Sequence, residues 1–227
     1  MDDSVKAALA RWPDVPAVYG WLSLSESGQW RLHPDGTGWG IAADRSPSEV
    51  APGEPIENEQ ILGFINRNYA SDAQGRWFFQ NGPQRVYVRL DAAPYILHLD
   101  TPSQTFHTHN GLLIAHIREW LIDEAGRLYA STEHGPGMIA GRDAALVFEA
   151  LHTPAGAPLM EKLEHVIADN ATFDIPALLK DDEIADMKVQ FLLPGITSHD
   201  NADAIAVHFC ASSDLGRRLG FSRLPAP

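Results

Sequence analysis

Four arginines crowd one stretch of an otherwise acidic chain. Arg67, Arg76, Arg85 and Arg89 fall between Gln60 and Leu90 against one carboxylate, Asp72. A guanidinium is a planar fork of donors that grips a carboxylate or phosphate through two bonds at once. Arg85, Tyr87 and Arg89 alternate along one predicted strand and share a face, where Tyr87 can stack on a flat ligand. Gln80, Asn81 and Gln84 add amide groups of the kind that read a base edge or a sugar. Together Arg67, Gln80, Asn81, Gln84, Arg85, Tyr87 and Arg89 outline a site for a small anionic or nucleotide-like ligand. The competing account is structural: each arginine pairs with an acid elsewhere, and Asn81-Gly82 is only a turn.

Ten histidines raise the question of a metal. His107 and His109 would share a strand face, with His98 and Asp100 sharing a face nearby. A metal needs three or four convergent ligands, and neither a His-Glu-x-x-His motif nor a cysteine pair is present. No bound metal is therefore expected, and a metal-assisted hydrolase centred on His107 and His109 stands as an alternative. No Gly-x-Ser-x-Gly elbow or Walker loop occurs, so no catalytic residue and no cofactor are expected. Gly36-Thr37-Gly38-Trp39-Gly40 reads as a flexible loop, Cys210 as an inert core thiol, and Asp181-Asp182-Glu183 as a helix start. The six tryptophans read as core packing.

Composition bounds these readings. The 227 residues are 44% hydrophobic and 21% charged, which excludes a disordered chain, collagen and a disulfide mini-scaffold. Net charge is −13, a field that repels phosphate backbones, so general nucleic-acid binding is not expected. One cysteine allows no intrachain disulfide. The segment Met1–Lys6 is acidic and lacks the pattern of a signal peptide, and no apolar run approaches a membrane span. A cytoplasmic location is the expectation.

Periodicity supplies the elements that must hold these groups. A helix is expected over 1–12, then strands at Val18–Leu24 and Trp30–His33 around Glu26-Ser27-Gly28. Residues 34–55, rich in glycine and proline, read as a long loop. Asn58 caps a helix from Glu59 to about Tyr69, with Ile61, Leu62, Ile65 and Tyr69 on its buried face. Strands at Arg76–Gln80 and Arg85–Asp91 flank Asn81-Gly82, and Val86, Val88 and Leu90 point into the first core with Ile61 and Ile65. A further strand, Tyr95–Leu99, precedes a loop at 100–111. Leu112–Ile122 and Arg127–Thr132 form another hairpin, followed by a helix at Asp143–Leu151 and a link at 153–158. Helices near 159–169 and 176–185 and strands at Lys188–Leu193 and Ala204–Cys210 complete the pattern. Ser27-Gly28-Gln29-Trp30, Gln74-Gly75-Arg76-Trp77 and Ala125-Gly126-Arg127-Leu128 form a weak internal repeat, each placing glycine two residues before a strand-opening apolar residue.

The string Asn66-Arg67-Asn68-Tyr69, then Gly75-Arg76-Trp77-Phe78-Phe79-Gln80-Asn81-Gly82-Pro83-Gln84-Arg85-Val86-Tyr87-Val88, then Ala93-Pro94-Tyr95, resembles an uncharacterised bacterial family of unknown function. It is more loosely similar to a second such family. That family's pattern is a helix, Asp-x-x-Gly-x-aromatic, a Pro-x-Glu-like corner and Val-x-Asp-x-Pro-aromatic. Here the corner is Pro83-Gln84-Arg85 and the last part is Leu90 to Tyr95. The likeness covers roughly residues 15–152. It implies duplicated α/β units with a pleckstrin-homology-like later half, a ligand cleft between the halves and a signalling role. It brings no catalytic residues.

The expected fold is α+β, mainly antiparallel hairpins with helices on one side, since hairpins dominate and no repeated βαβ crossover is visible. The expected division is 1–83, 84–153 and 154–227, the first two packed subdomains around a shared cleft and the last an extension. The expected function is non-catalytic binding of a small ligand, or regulation. A protein–protein interaction module using the acidic surface and proline-rich tail is a further alternative.

Overall fold

The computed structural model describes residues 1–38, 51–163, 186–192 and 204–226. The fold is α+β, mostly strands in two sheets with few helices. The chain divides into two compact units, Met1–Pro94 with Gly220–Pro227, and Tyr95–Leu219.

Unit one holds helix α1 (Asp3–Arg11) and α2 (Glu59–Arg67) and strands β1 (Val18–Leu24), β2 (Trp30–Leu32), β3 (Glu54–Pro55), β4 (Tyr69–Ser71), β5 (Trp77–Asn81) and β6 (Gln84–Leu90). Their order in the sheet is β3-β2-β1-β6-β5-β4, with β1 and β6 parallel and the other neighbours antiparallel. Asn58 caps α2 as expected, its side chain accepting from the amides of Gln60 at 3.0 Å and Ile61 at 3.1 Å. The helix is shorter than the periodicity predicts. Asn68 ends it, its amide donating to the Phe64 carbonyl at 2.9 Å, and Tyr69 opens β4 instead of closing the helix.

The β5–β6 turn also differs from the expected Asn-Gly corner. Asn81 and Gln84 are the last paired residues, so Gly82 and Pro83 form the tip. Gly82 takes φ +58°, which costs glycine nothing, and proline's fixed negative φ suits the next position. Val86, Val88 and Leu90 are buried as predicted, with Ile65. Ile61 is not: it is 50% exposed. The opposite face of β6 is also a correction. Tyr87 and Arg89 were expected to face outward with Arg85, yet both are buried: Tyr87 packs between Tyr19 and Arg76, and Arg89 donates to Asp91 and to the Gly38 carbonyl. A segment from the chain's far end also joins this unit. The Ser222 amide donates to the Gly75 carbonyl at 3.0 Å, and the Leu90 amide donates to the Arg223 carbonyl at 2.9 Å. Gly75 permits the approach: a Cβ there would meet the Gly220 carbonyl oxygen at 2.2 Å.

Unit two contains β7 (Tyr95–Asp100), β8 (Thr105–Thr108), β9 (Leu113–Ile114), β10 (Ile117–Ile122), β11 (Leu128–Thr132), β12 (Gly135–Ile139), β13 (Leu151–His152), β14 (Lys188–Phe191) and β15 (Ile205–Phe209). Helices α3 (Gly141–Ala150), α4 (Leu159–Leu163) and α5 (Leu215–Leu219) accompany them. The sheet order is β13-β14-β15-β10-β11-β12-β7-β8-β9. Trp120, Leu121, Ile122, Leu128 and Tyr129 of the β10–β11 hairpin are buried with Ile96, Leu97, Val147 and Leu151. Strand β12 was hidden in the sequence, since Gly135-Pro136-Gly137 reads as a loop. Gly137 belongs there because a Cβ would strike the Leu97 side chain at 2.6 Å.

Two expected boundaries cut through paired structure. The one at 83/84 falls inside the β5–β6 hairpin. The segment 154–227 is not a separate extension: it gives β14 and β15 to the second sheet and Gly220–Pro227 to unit one. The expected helix at 176–185, the distal part of that near 159–169, and the acids Asp181, Asp182 and Glu183 lie outside the described residues. So do Trp39 and Gly40.

Candidate ligand-binding site

The residues expected to form one anion site are parted by strand alternation and by ion pairs. Along β6, Gln84 and Val86 face one side of the sheet, Arg85 and Tyr87 the other. Each side carries a pocket.

The first pocket is apolar, with a volume of about 690 Å³. Strands β1, β2, β5 and β6 give it Trp21, Leu22, Leu32, Phe79 and Val86, and α2 gives Ile61 and Ile65. Its polar lining residues are Glu54, Glu57, Asn58, Asn81 and Gln84. No lysine or arginine lines it. Trp21, Leu32 and Ile61 stand 43, 41 and 50% exposed, although each is large and apolar. The Gln84 amide donates to the Pro16 carbonyl at 3.2 Å, which ties the rim to the chain entering β1.

The second pocket, about 410 Å³, lies on the Arg85 side. Tyr19 and Tyr87 stack there with ring centres 4.8 Å apart, and the Arg76 guanidinium lies 4.8 Å from the Tyr87 ring centre. Arg85 sits 4.7 Å over Phe78. Burial pushes the Tyr87 hydroxyl's pKa up, and its hydrogen bond to Asp72 at 2.9 Å adds to that. Burial of Asp72 opposes ionisation, but donors from Arg76, Tyr87 and the Gln74 backbone outweigh it and hold the carboxyl below its ordinary range.

The remaining expected site residues have structural work. Arg67 ends α2 and reaches Asp2 at 3.2 Å on the surface. Gln80 is buried and its amide donates to the Gly82 carbonyl at 2.9 Å, bracing the turn. Arg89 is 1% exposed; its Nε donates to Asp91 at 2.9 Å and its Nη1 to the Gly38 carbonyl. So Arg85 and Tyr87 share one pocket with Arg76, Asn81 and Gln84 share the other, and Arg67, Gln80 and Arg89 join neither.

The histidines weighed for a metal, His98, His107 and His109, lie in unit two. His98 and His107 are cross-strand neighbours on β7 and β8, and His98 Nδ1 is 3.3 Å from Asp143. His107 Nε2 meets Thr105 at 3.1 Å. His109 lies beyond β8, and its Nδ1 accepts from the Ile96 amide at 3.3 Å. Burial, aided by His98, pushes its pKa down to about 3, so the ring is neutral. Among the described residues no three His, Cys, Asp or Glu side chains gather as metal ligands.

Sequence reasoning missed Trp21, Leu32 and Ile61 as site residues because large apolar groups at regular spacing read as core. The available signal was the cap at Asn58. It fixes where α2 starts, and so puts Ile61 in the first turn, at the helix end, where cover is thinnest.

A crystal structure of a DUF1285 family protein from Silicibacter pomeroyi DSS-3 shares 15% identity, with a TM-score of 0.42, over 69% of this chain and 97% of that one. A second DUF1285 family protein, from Shewanella baltica OS155, shares 12% identity, with a TM-score of 0.36, over 55% of this chain and 87% of that one. No curated protein matches. The DUF2944 family model, described as "Protein of unknown function (DUF2946)", matches residues 1–226, and the chain belongs to that family.

Proposed function

We propose that this chain is a cytoplasmic, non-catalytic, small-ligand-binding protein with a regulatory role. Its ligand is a largely apolar molecule with a neutral or cationic polar group. The observation that carries this reading is the apolar pocket of about 690 Å³ on which Trp21, Leu32 and Ile61 stand open. That volume lies in the range of small-molecule sites, and apolar walls with a few polar groups are their usual make-up. Burial returns ~25 cal/mol per Å² of apolar surface, so a ligand covering these side chains gains affinity without an ion pair. Glu54 and Glu57 at the pocket favour an amine or a hydrogen-bond donor and oppose a phosphate. This pocket is therefore not the anionic or nucleotide-like site expected from the arginines. The cytoplasmic part of the proposal is supported by the free thiol of Cys210 and by the absence, among the described residues, of a helix able to cross a membrane.

A thermal-shift and tryptophan-fluorescence screen tests the ligand class, using alkyl and aryl amines, the matching alcohols and the matching carboxylates. Amines and alcohols are expected to stabilise the protein, and carboxylates with the same apolar body to do so less. Trp21→Ala and Ile61→Ser are expected to weaken binding at least ~tenfold, since each removes pocket wall without opening the core. A preference for carboxylates, or unchanged binding by both variants, would sink the proposal.

A further inference from the structure

The pocket on the other side of β6 is built from groups the apolar site does not use. Two of its members carry positive charge, but only one of those charges is already answered. Arg76 Nε donates to Asp72 at 2.8 Å and its Nη1 to the Ala226 carbonyl at 3.0 Å. The Asp72 carboxylate is saturated in turn. Oδ1 accepts from the amides of Gln74 and Arg76, each at 3.0 Å, and Oδ2 accepts from Arg76 and from the Tyr87 hydroxyl. Its side chain is 8% exposed, so it presents little charge to the pocket. Arg85 differs. It is exposed, rests on the Phe78 ring, reaches the neutral Tyr87 hydroxyl, and among the described residues has no carboxylate within ion-pair distance. The pocket's net charge is thus that of one guanidinium in a chain of charge −13.

We infer that this pocket is a separate site for a small planar carboxylate: an aromatic or unsaturated acid whose flat body packs by the Tyr19–Tyr87 stack and whose carboxylate meets Arg85. The geometry favours this class over a bare anion on two counts. Leu9, Pro13, Val15 and Pro83 give a mostly polar lining a smaller apolar share that a ring can use and phosphate cannot. The acidic field of the molecule opposes long-range capture of any anion, so affinity must come from a short, two-pronged contact and from stacking. The pocket of about 410 Å³ admits a one- or two-ring acid. The inference does not depend on the apolar site, whose residues lie on the opposite face of the sheet.

Isothermal titration of the full chain with benzoate and 2-naphthoate tests it, with benzamide and inorganic phosphate as comparators. Carboxylate binding is expected, tighter for the larger ring, and absent for benzamide and phosphate. Arg85→Gln should weaken it at least ~tenfold, and Arg85→Lys should restore part of it, since an ammonium keeps the charge but lacks the fork. Ile61→Ser, in the other pocket, should leave it unchanged; Arg85 is exposed, so its variants keep the fold. Equal binding of benzoate and benzamide, binding of phosphate at comparable strength, or indifference to Arg85→Gln would each overturn the inference. If Ile61→Ser abolished carboxylate binding, the acid would be occupying the apolar pocket and the second site would fall.

Discussion

At the residue scale, the four clustered arginines show how little sequence proximity says about shared work. Arg67 and Arg89 each find a carboxylate, but under opposite conditions. Arg67 meets Asp2 in solvent, where such a pair contributes ~0–1 kcal/mol. Arg89 meets Asp91 with its side chain 2% exposed and also donates to the Gly38 carbonyl. Losing it strands a charge and a carbonyl that water reaches poorly, a change that costs ~3–5 kcal/mol when a buried pair is broken. Urea titrations should therefore separate the two: Arg67→Ala should shift unfolding by less than ~0.5 kcal/mol and Arg89→Ala by ~3 kcal/mol or more. Equal, small effects would show that Arg89 is no structural charge. Sequence revealed the arginine excess and the strand that carries half of it. It did not reveal that Arg89 is buried, because one of its partners, the Gly38 carbonyl, lies 51 residues away.

At the element scale, the weak repeat of glycine before an apolar residue is the visible edge of a recurring turn. Five segments share it: Ser25–Gln29, Asp72–Arg76, Thr108–Leu112, Asp123–Arg127 and Thr153–Ala157. In each, the first residue's amide donates to the fifth residue's carbonyl, the glycine amide donates back to the first carbonyl, and the first side chain accepts from the fifth amide. Glycine is fourth because the position takes a positive φ, between 72° and 86° in all five. The pattern is thus Asp, Ser or Thr, two free positions, then Gly, and it was legible in the chain. Only the half containing the glycine was read there. The acceptor side chain went unnoticed, since Asp72 and Asp123 look like surface acids. The strands that broke their own propensity rules, such as Gly135–Ile139, were illegible for a different reason: they are selected by close approach to β7, a tertiary fact. Asp123 is the most demanding case. It is fully buried, accepts from the amides of Ala125 at 3.0 Å and Arg127 at 2.8 Å, and takes the Tyr129 hydroxyl at 3.2 Å. Asp123→Ala should cost ~3 kcal/mol by leaving those donors unmet, Asp123→Asn less, and Thr153→Ala about 1 kcal/mol. Chemical denaturation of the three variants checks the ranking, and a Thr153 effect equal to that of Asp123 would refute it.

At the scale of the whole molecule, unit one is closed by both ends of the chain. Its sheet is complete within the first ninety residues, yet its surface over Gly75 and Leu90 is finished by Gly220–Pro227. That return is held by backbone bonds at Gly75 and Leu90, by Arg223 Nε donating to the Ala92 carbonyl at 3.1 Å, and by Phe221, which is buried. Proline and arginine near a chain end read from sequence as a solvated tail, because nothing local pairs them. Their partners are set by topology alone. The consequence is a measurable asymmetry between the units. A chain ending at Leu219 keeps every strand of unit two but removes the acceptor of the Leu90 amide, the apolar cover of Phe221 and one bond of Arg76. Exchange at a buried amide follows the opening free energy of its own cooperative region, so loss of the segment should show locally. Hydrogen exchange on the shortened chain should find the amides of Trp77–Asn81 and Gln84–Leu90 less protected by ~tenfold or more, with those of Ile117–Ile122 and Leu128–Thr132 unchanged. Restoring Gly220–Pro227 with Phe221→Ser should recover the Leu90 amide only in part, because the backbone bond returns without the apolar cover. Full protection of Leu90 in the shortened chain would mean that the segment merely rests on unit one and does not build it.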